Sequence, residues 1–226
     1  ELDRLGVEVS SAALHHLEAT DAGWRVRTVE QHLDASAVVL ATPAGPAATA
    51  VRDVAPKAAT LLAGIPYASV ALVALAVPRS SIDRELDGSG FLVPAVEGRT
   101  ITACSWTSAK WPHQHGEGTV WLRASVGRDG RPPIDDDAVL EAAVLADLAD
   151  TMALRGPVQE VRISRWPGSF PQYRPGHLRR VDATDEELAA AAPGVVVAGA
   201  ALRGLGVPAC IRQARAAAAR VLQHLT

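Results

Sequence analysis

A mixed α/β fold is predicted by three features of the sequence. Residues 24–29 (WRVRTV) alternate apolar and polar with period two, as a half-buried strand does. Residues 37–42 (AVVLAT) form an apolar run that Pro43 stops, the pattern of a strand buried on both faces. Near the end, a short apolar strand (194–199) leads through a glycine-containing loop (200–208) into a helix (209–225). That helix carries an apolar stripe at Ile211, Ala214, Ala218, Val221, Leu222 and Leu225.

The intervening elements follow from local signals. Residues 7–10 lead into a strand over 13–19, the turn Asp21-Ala22-Gly23 returns the chain, and a β-meander results. Residues 45–63 are rich in Ala and Pro and predict one or two short helices. Strands are expected at 69–78, as a central strand, and at 90–93, 100–106 and 119–126, with a loop at 112–118. Residues 135–154 predict a helix capped by Asp135 or Asp136, its apolar face running through Val139, Ala142, Ala143, Ala146 and Ala149. A strand over 158–166 and a Pro/Gly-rich connection to Gly176 come next. Thr184 and Glu187 then read as a capping box opening a short helix over 184–192.

Composition excludes several classes. With 226 residues, 48 % hydrophobic and 21 % charged, the chain can bury a sizeable core. Net charge is −3 and no Lys/Arg run exceeds a pair, so a nucleic-acid partner is not expected. The longest apolar stretch, 68–77, is about half of what a membrane span needs. Cys104 and Cys210 lie far apart and outside any CxxC pattern; free thiols fit a reducing cytoplasm, and a disulfide stays open. Aromatics are only 4 %, so Trp106, Trp111, Trp121 and Trp166 stand out within 61 consecutive residues.

Candidate chemistry is sparse. His113 and His115 form an HxH pair with no further ligands near them in sequence, so no metal site is expected. His15 and His16, adjacent on a strand, should face opposite sides. Asp135–Asp137 and Asp185–Glu187 read as first turns of helices rather than acid/base pairs. The chain offers no Ser-His-Asp arrangement and no catalytic side chain is assigned. Gly204, Gly206 and Pro208, just before a helix N-terminus, allow close approach of a ligand to the backbone. The helix end there favours an anion or an electron-rich carbonyl.

The segment VVVAGAALRGLGVPACIRQARAAAARVL resembles the C-terminal flavin-binding signature of the protoporphyrinogen/coproporphyrinogen oxidases. TACSWTSAKWPH, VWLRASVGRDG and SRWPGSFPQYRPGH resemble, in order, other stretches of that family, and the resemblance runs from about Val7 to Leu222. It implies a flavin-binding domain of amine-oxidase type built from residues 1–45 and 176–226, around a mixed-sheet substrate domain over 46–175. It implies FAD, with Gly204, Leu205 and Gly206 bordering the isoalloxazine and Val207 and Pro208 beside them. Trp166 would lie near the flavin, and the backbone of Leu14 would meet the adenine end. Ala214 departs from the Gly usual in the family's last helix.

The implied activity is oxygen-dependent oxidation of a porphyrinogen in haem synthesis, in the cytoplasm or at a membrane surface, with dioxygen as partner. Coproporphyrinogen and protoporphyrinogen both stay open. The alternatives are another flavoenzyme of the same fold, or a flavin-free binding module that kept the sheet. The sequence has no GxGxxG after a strand and no acidic residue about twenty positions beyond one, features that fix pyrophosphate and ribose. In the family those features precede the region matched here. The chain is therefore expected to need an N-terminal partner segment and, alone, to bind FAD weakly or not at all.

Overall fold

The computed structural model describes residues 2–111, 113 and 118–226. The elements, in order, are β1 (Leu14–Thr20), β2 (Gly23–Thr28), β3 (His32–Ala35), β4 (Val38–Leu40), α1 (Ala44–Val51), α2 (Pro56–Ala63), β5 (Tyr67–Pro78), β6 (Gly90–Leu92) and β7 (Ile101–Trp106). There follow α3 (Thr107–Lys110), β8 (Thr119–Val126), α4 (Asp137–Met152), β9 (Glu160–Pro171), α5 (His177–Ala191), β10 (Val195–Val197) and α6 (Val207–Leu225). The predicted loop at 112–118 lies largely, and His115 wholly, outside the described residues.

Two compact units divide the chain, residues 1–66 with 171–226, and residues 67–170. The geometric boundary falls after α1 and α2 rather than before them. Those helices contact β1 and α5, elements of the first unit.

The first unit holds an antiparallel meander, β1-β2-β3, and a two-stranded parallel sheet, β10-β4. Trp24 anchors the meander: its ring is buried and its indole N–H donates to the Pro193 carbonyl at 2.9 Å. Arg25 faces Asp34 across β2 and β3 at 2.8 Å, and Arg27 meets Glu18 at 2.9 Å. These hydrogen bonds hold both carboxyls below the usual carboxylate range. Residues 7–10 add no strand; Val9 is exposed and the meander starts at Leu14.

His15 and His16 do not diverge as adjacent strand residues should. A register shift between Leu14 and His16 turns the two rings together, with their Nδ1 atoms 2.8 Å apart. One Nδ1 must therefore donate and the other accept.

Three further sequence expectations are overturned by packing. Val39 is exposed, so the 37–42 run is buried on one face only, with β4 paired to β10. Thr184 does not start a helix: α5 begins at His177, and the buried Thr184 hydroxyl donates back to the Arg180 carbonyl at 2.8 Å. Glycine 176, at φ 86°, supplies the start instead. The buried side of α6 is Ala217, with Val221 packed beside it, whereas Ile211, Ala214, Ala218, Leu222 and Leu225 are exposed.

The second unit is a five-stranded sheet, order β6-β7-β8-β5-β9, backed by α4. The helix buries Leu140, Val144, Leu148 and Met152 rather than the predicted Val139/Ala142 face, and Val139 is exposed. Spacing by four places the larger side chains on one line, and their larger apolar area decides which side turns inward. Asp136 caps the helix by accepting from the Val139 amide at 2.9 Å. Strand β9 runs past Trp166 through Pro167 and Gly168 to Pro171, farther than predicted. Proline is tolerated because β9 is an edge strand.

Two tests follow from this core. Leu148→Ala, at a fully buried position, should lower unfolding free energy by about 2–5 kcal/mol in a urea titration. Cys104 lies against Met152 and burial pushes its thiol up to about 12, while Cys210 is partly open. A thiol-titrating disulfide reagent near about pH 8 should therefore modify one cysteine in the native protein and both in denaturant.

Candidate flavin-facing loop

The loop between β10 and α6 is fixed at nearly every residue. Strand β10 is wholly buried, and the Ala198 amide continues its ladder to the Leu40 carbonyl at 3.0 Å. Beyond it the chain turns at Gly199, and the Leu202 amide closes back on the Gly199 carbonyl at 3.2 Å. Ala201 and Leu202 are buried beneath that turn.

A single hydroxyl spans the turn. Tyr173 donates to the Ala200 carbonyl at 2.6 Å and accepts from the Gly204 amide at 2.8 Å. Its ring stacks on His177, with centroids 3.9 Å apart and planes 12° from parallel. His177 is buried, and its Nε2–H donates to the Leu202 carbonyl at 2.7 Å, which fixes the proton on that nitrogen. The two rings thus hold three backbone groups of the loop from one side.

The other side is held by charge and by α6. Arg203 bonds Asp182 and Asp185, each at 2.8 Å, and Asp185 also receives Arg220 from α6 at 3.0 Å. Gln213 accepts from the Arg203 amide at 3.2 Å and donates to the Gly204 carbonyl at 3.3 Å. Gly204 sits at φ 128°, and a Cβ there would stand 2.6 Å from the Ala209 Cβ. No L side chain fits that position without displacing the helix start.

What the clamp presents outward is apolar and electropositive. Leu205 and Val207 are exposed, Val207 at 72 %. Gly206 is the N-cap of α6, and with Pro208 lacking an N–H the first-turn amides are those of Val207 and Ala209, at the positive end of a 19-residue helix. A hollow of about 680 Å³ lies beside Gly204, bordered by Tyr173, Arg174, Gly176, His177 and Arg203.

Of the residues singled out in the sequence, Gly204, Leu205, Gly206, Val207 and Pro208 therefore form one continuous surface. Leu14 stands at the start of β1 in the same unit, half-buried, beside the register shift and paired with Thr28. Trp166 belongs to the second unit, on β9, and is half exposed. Ala214 is exposed, away from the contact between α6 and its sheet. Sequence reasoning missed Tyr173, His177, Asp182, Asp185 and Gln213. The legible signal was the Tyr and His at i and i+4 entering α5, within the stretch already quoted for Trp166. Among the described residues, no group of His, Cys, Asp or Glu is placed to hold a metal ion, and no helix is long and apolar enough to cross a membrane.

This frame, a unit with a parallel strand pair that ends in a glycine loop and helix, and a separate unit whose strand pairs β6–β7, β7–β8 and β8–β5 are antiparallel rather than the mixed sheet expected, is that of amine-oxidase-type flavoproteins. The chain belongs to the family of flavin containing amine oxidoreductases, whose model matches residues 4–222. Coproporphyrinogen III oxidase of Bacillus subtilis is 39 % identical over 195 residues, covering 85 % of this chain and 41 % of the relative. Protoporphyrinogen oxidase of Bos taurus is 28 % identical over 209 residues, covering 88 % of the chain and 43 % of the relative. The crystal structure of a provisionally named protoporphyrinogen oxidase from Exiguobacterium sp. 255-15 superposes with a TM-score of 0.76 at 29 % identity, over 94 % of this chain and 46 % of that one. The chain spans less than half the length of these relatives.

Replacing Tyr173 by Phe removes the acceptor for the Gly204 amide and the donor to Ala200. We expect hydrogen exchange at the Gly204 amide to quicken by about tenfold, the equivalent of one lost hydrogen bond, with α4 amides unchanged.

Proposed function

We propose that this chain is part of an FAD-dependent porphyrinogen oxidase, with coproporphyrinogen III as substrate. Support for the substrate comes from the relatives: coproporphyrinogen III oxidases match at 36–39 % identity, the bovine protoporphyrinogen oxidase at 28 %. The observation that carries the cofactor assignment is the clamped loop. A position closed to any Cβ, next to exposed Leu205 and Val207 and a helix N-terminus, suits the edge of a flat, largely apolar ring with electron-rich carbonyls.

In this proposal Gly204, Leu205 and Gly206 border the isoalloxazine, Val207 and Pro208 flank it, and Trp166 packs near it. The Leu14 backbone meets the adenine end. The first unit, with α1 and α2, serves the flavin and the second serves the substrate. When bound, FAD supplies the redox chemistry: six hydrogens leave the porphyrinogen in three two-electron steps, and three dioxygen molecules become three of hydrogen peroxide. The chain's own residues set position. Tyr173 and His177 hold the loop so that the first-turn amides of α6 stay aimed at one place before any ligand arrives, which limits the ordering cost of binding. No side chain here is assigned to proton transfer. The enzyme would work in the cytoplasm or at a membrane surface.

The test is oxidation of coproporphyrinogen III by the full-length protein with FAD, followed by coproporphyrin fluorescence. Turnover is expected, and Gly204→Ala should lose most of its bound flavin absorbance. Turnover of a primary amine with none of a porphyrinogen would move the assignment to an amine oxidase. Absence of retained flavin in the full-length protein would sink the cofactor assignment and leave a binding module.

A further inference from the structure

The second unit's sheet buries one face against α4, and on the other, among the described residues, Arg123 and Trp121 are exposed. Ala71, Val73, Leu75 and Val77 of β5, Leu122 and Ala124 of β8, and Cys104 and Trp106 of β7 belong to the core. Alternation therefore places Leu72, Ala74 and Ala76, Trp121, Arg123 and Ser125, and Ala103 and Ser105 on the opposite face. Arg123 stands at its middle, on the central strand. Directly opposite are Ser105 on β7 and Ala74 on β5, and Gly90 of β6 lies beyond Ser105. Trp121 and Ser125 precede and follow it on the same face.

An arginine in a strand normally finds a carboxylate across or along the sheet. Here Arg25 meets Asp34, Arg27 meets Glu18, Arg162 meets Glu160, and Arg165 meets Asp137. Arg123 is the remaining strand arginine, and its side chain has no hydrogen-bond or ion-pair partner among the described residues. It is exposed, as is Trp121 at 40 %. The floor around it is Ala, Ser and Gly, low enough for a flat ring to lie close to the backbone. One guanidinium fork is left to receive an anion.

We propose that Arg123 binds a propionate carboxylate of the porphyrinogen, with the macrocycle lying over the Ala/Ser floor beside Trp121. This deepens the porphyrinogen assignment above and rests on it. Coproporphyrinogen III carries propionates on all four rings and protoporphyrinogen IX on two, so either offers a carboxylate to a single guanidinium fork.

The experiment is titration of the full-length flavoprotein with coproporphyrin III, read by porphyrin fluorescence, in wild type, Arg123→Gln and Arg123→Lys. Gln should raise Kd about tenfold and flatten its salt dependence, and Lys, a point charge without the fork, should fall between. Flavin absorbance per protein and the thermal midpoint should match wild type in both variants, since the Arg123 side chain makes no hydrogen bond or ion pair among the described residues. A Gln variant binding within about twofold of wild type, or one that loses flavin and thermal stability together, would overturn the role of Arg123 while leaving the porphyrinogen assignment standing. Failure of the wild type itself to bind coproporphyrin would remove that assignment, and this inference with it.

Discussion

Everything proposed for the first unit depends on a loop that has no regular structure of its own. A segment of this kind, rich in glycine and half exposed, ordinarily samples many conformations. Between β10 and α6 it does not, because the hydroxyl of Tyr173 satisfies a carbonyl and an amide at once and His177 satisfies a third group. Each bond alone is worth about 0.5–1.5 kcal/mol net. Their effect is larger than a sum suggests, since all of them restrain the same few backbone dihedrals. The stacked rings make the two restraints one rigid object.

The charges around the loop extend that restraint into the helices. Asp185 receives Arg203 from the loop and Arg220 from the last turns of α6, so one carboxylate ties both ends of the loop–helix unit to α5. These groups are only partly buried, and each pair taken singly contributes little. Shared geometry gives them their role: they set the register of α6 against α5, and with it the direction of the helix start. The Gln213 side chain does the same across two backbone groups of the loop.

Much of the architecture was legible from local pattern. Period two marked β2, turn residues marked the meander, and the C-terminal glycine run marked the loop. What escaped were choices made by packing between distant segments. The α4 stripe went wrong because alanines satisfy a helical period on several faces at once, and only the four large residues at spacing four decide. Thr184 mimicked a cap because the same hydroxyl that caps a helix can also bond a carbonyl one turn back. His15 and His16 were assigned opposite faces by an alternation rule that a bulge suspends. The clamp could not be inferred, since Tyr173 and the Ala200 carbonyl are 27 residues apart. Arg123 was unreadable for another reason: its meaning lies in the smallness of neighbours on two other strands.

Strand β9 has a consequence for the company this sheet keeps. It is the outer strand of five, long and largely solvent-facing, and such an edge invites a second chain to add a strand of its own. Pro167 and Pro171 each lack a backbone donor, and Gly168, at φ 50°, takes a left-handed conformation between them. A would-be partner strand would meet an irregular backbone just where the exposed rings of Trp166 and Phe170 offer it apolar surface. The interrupted backbone disfavours strand addition along this edge, while the rings of Trp166 and Phe170 remain exposed.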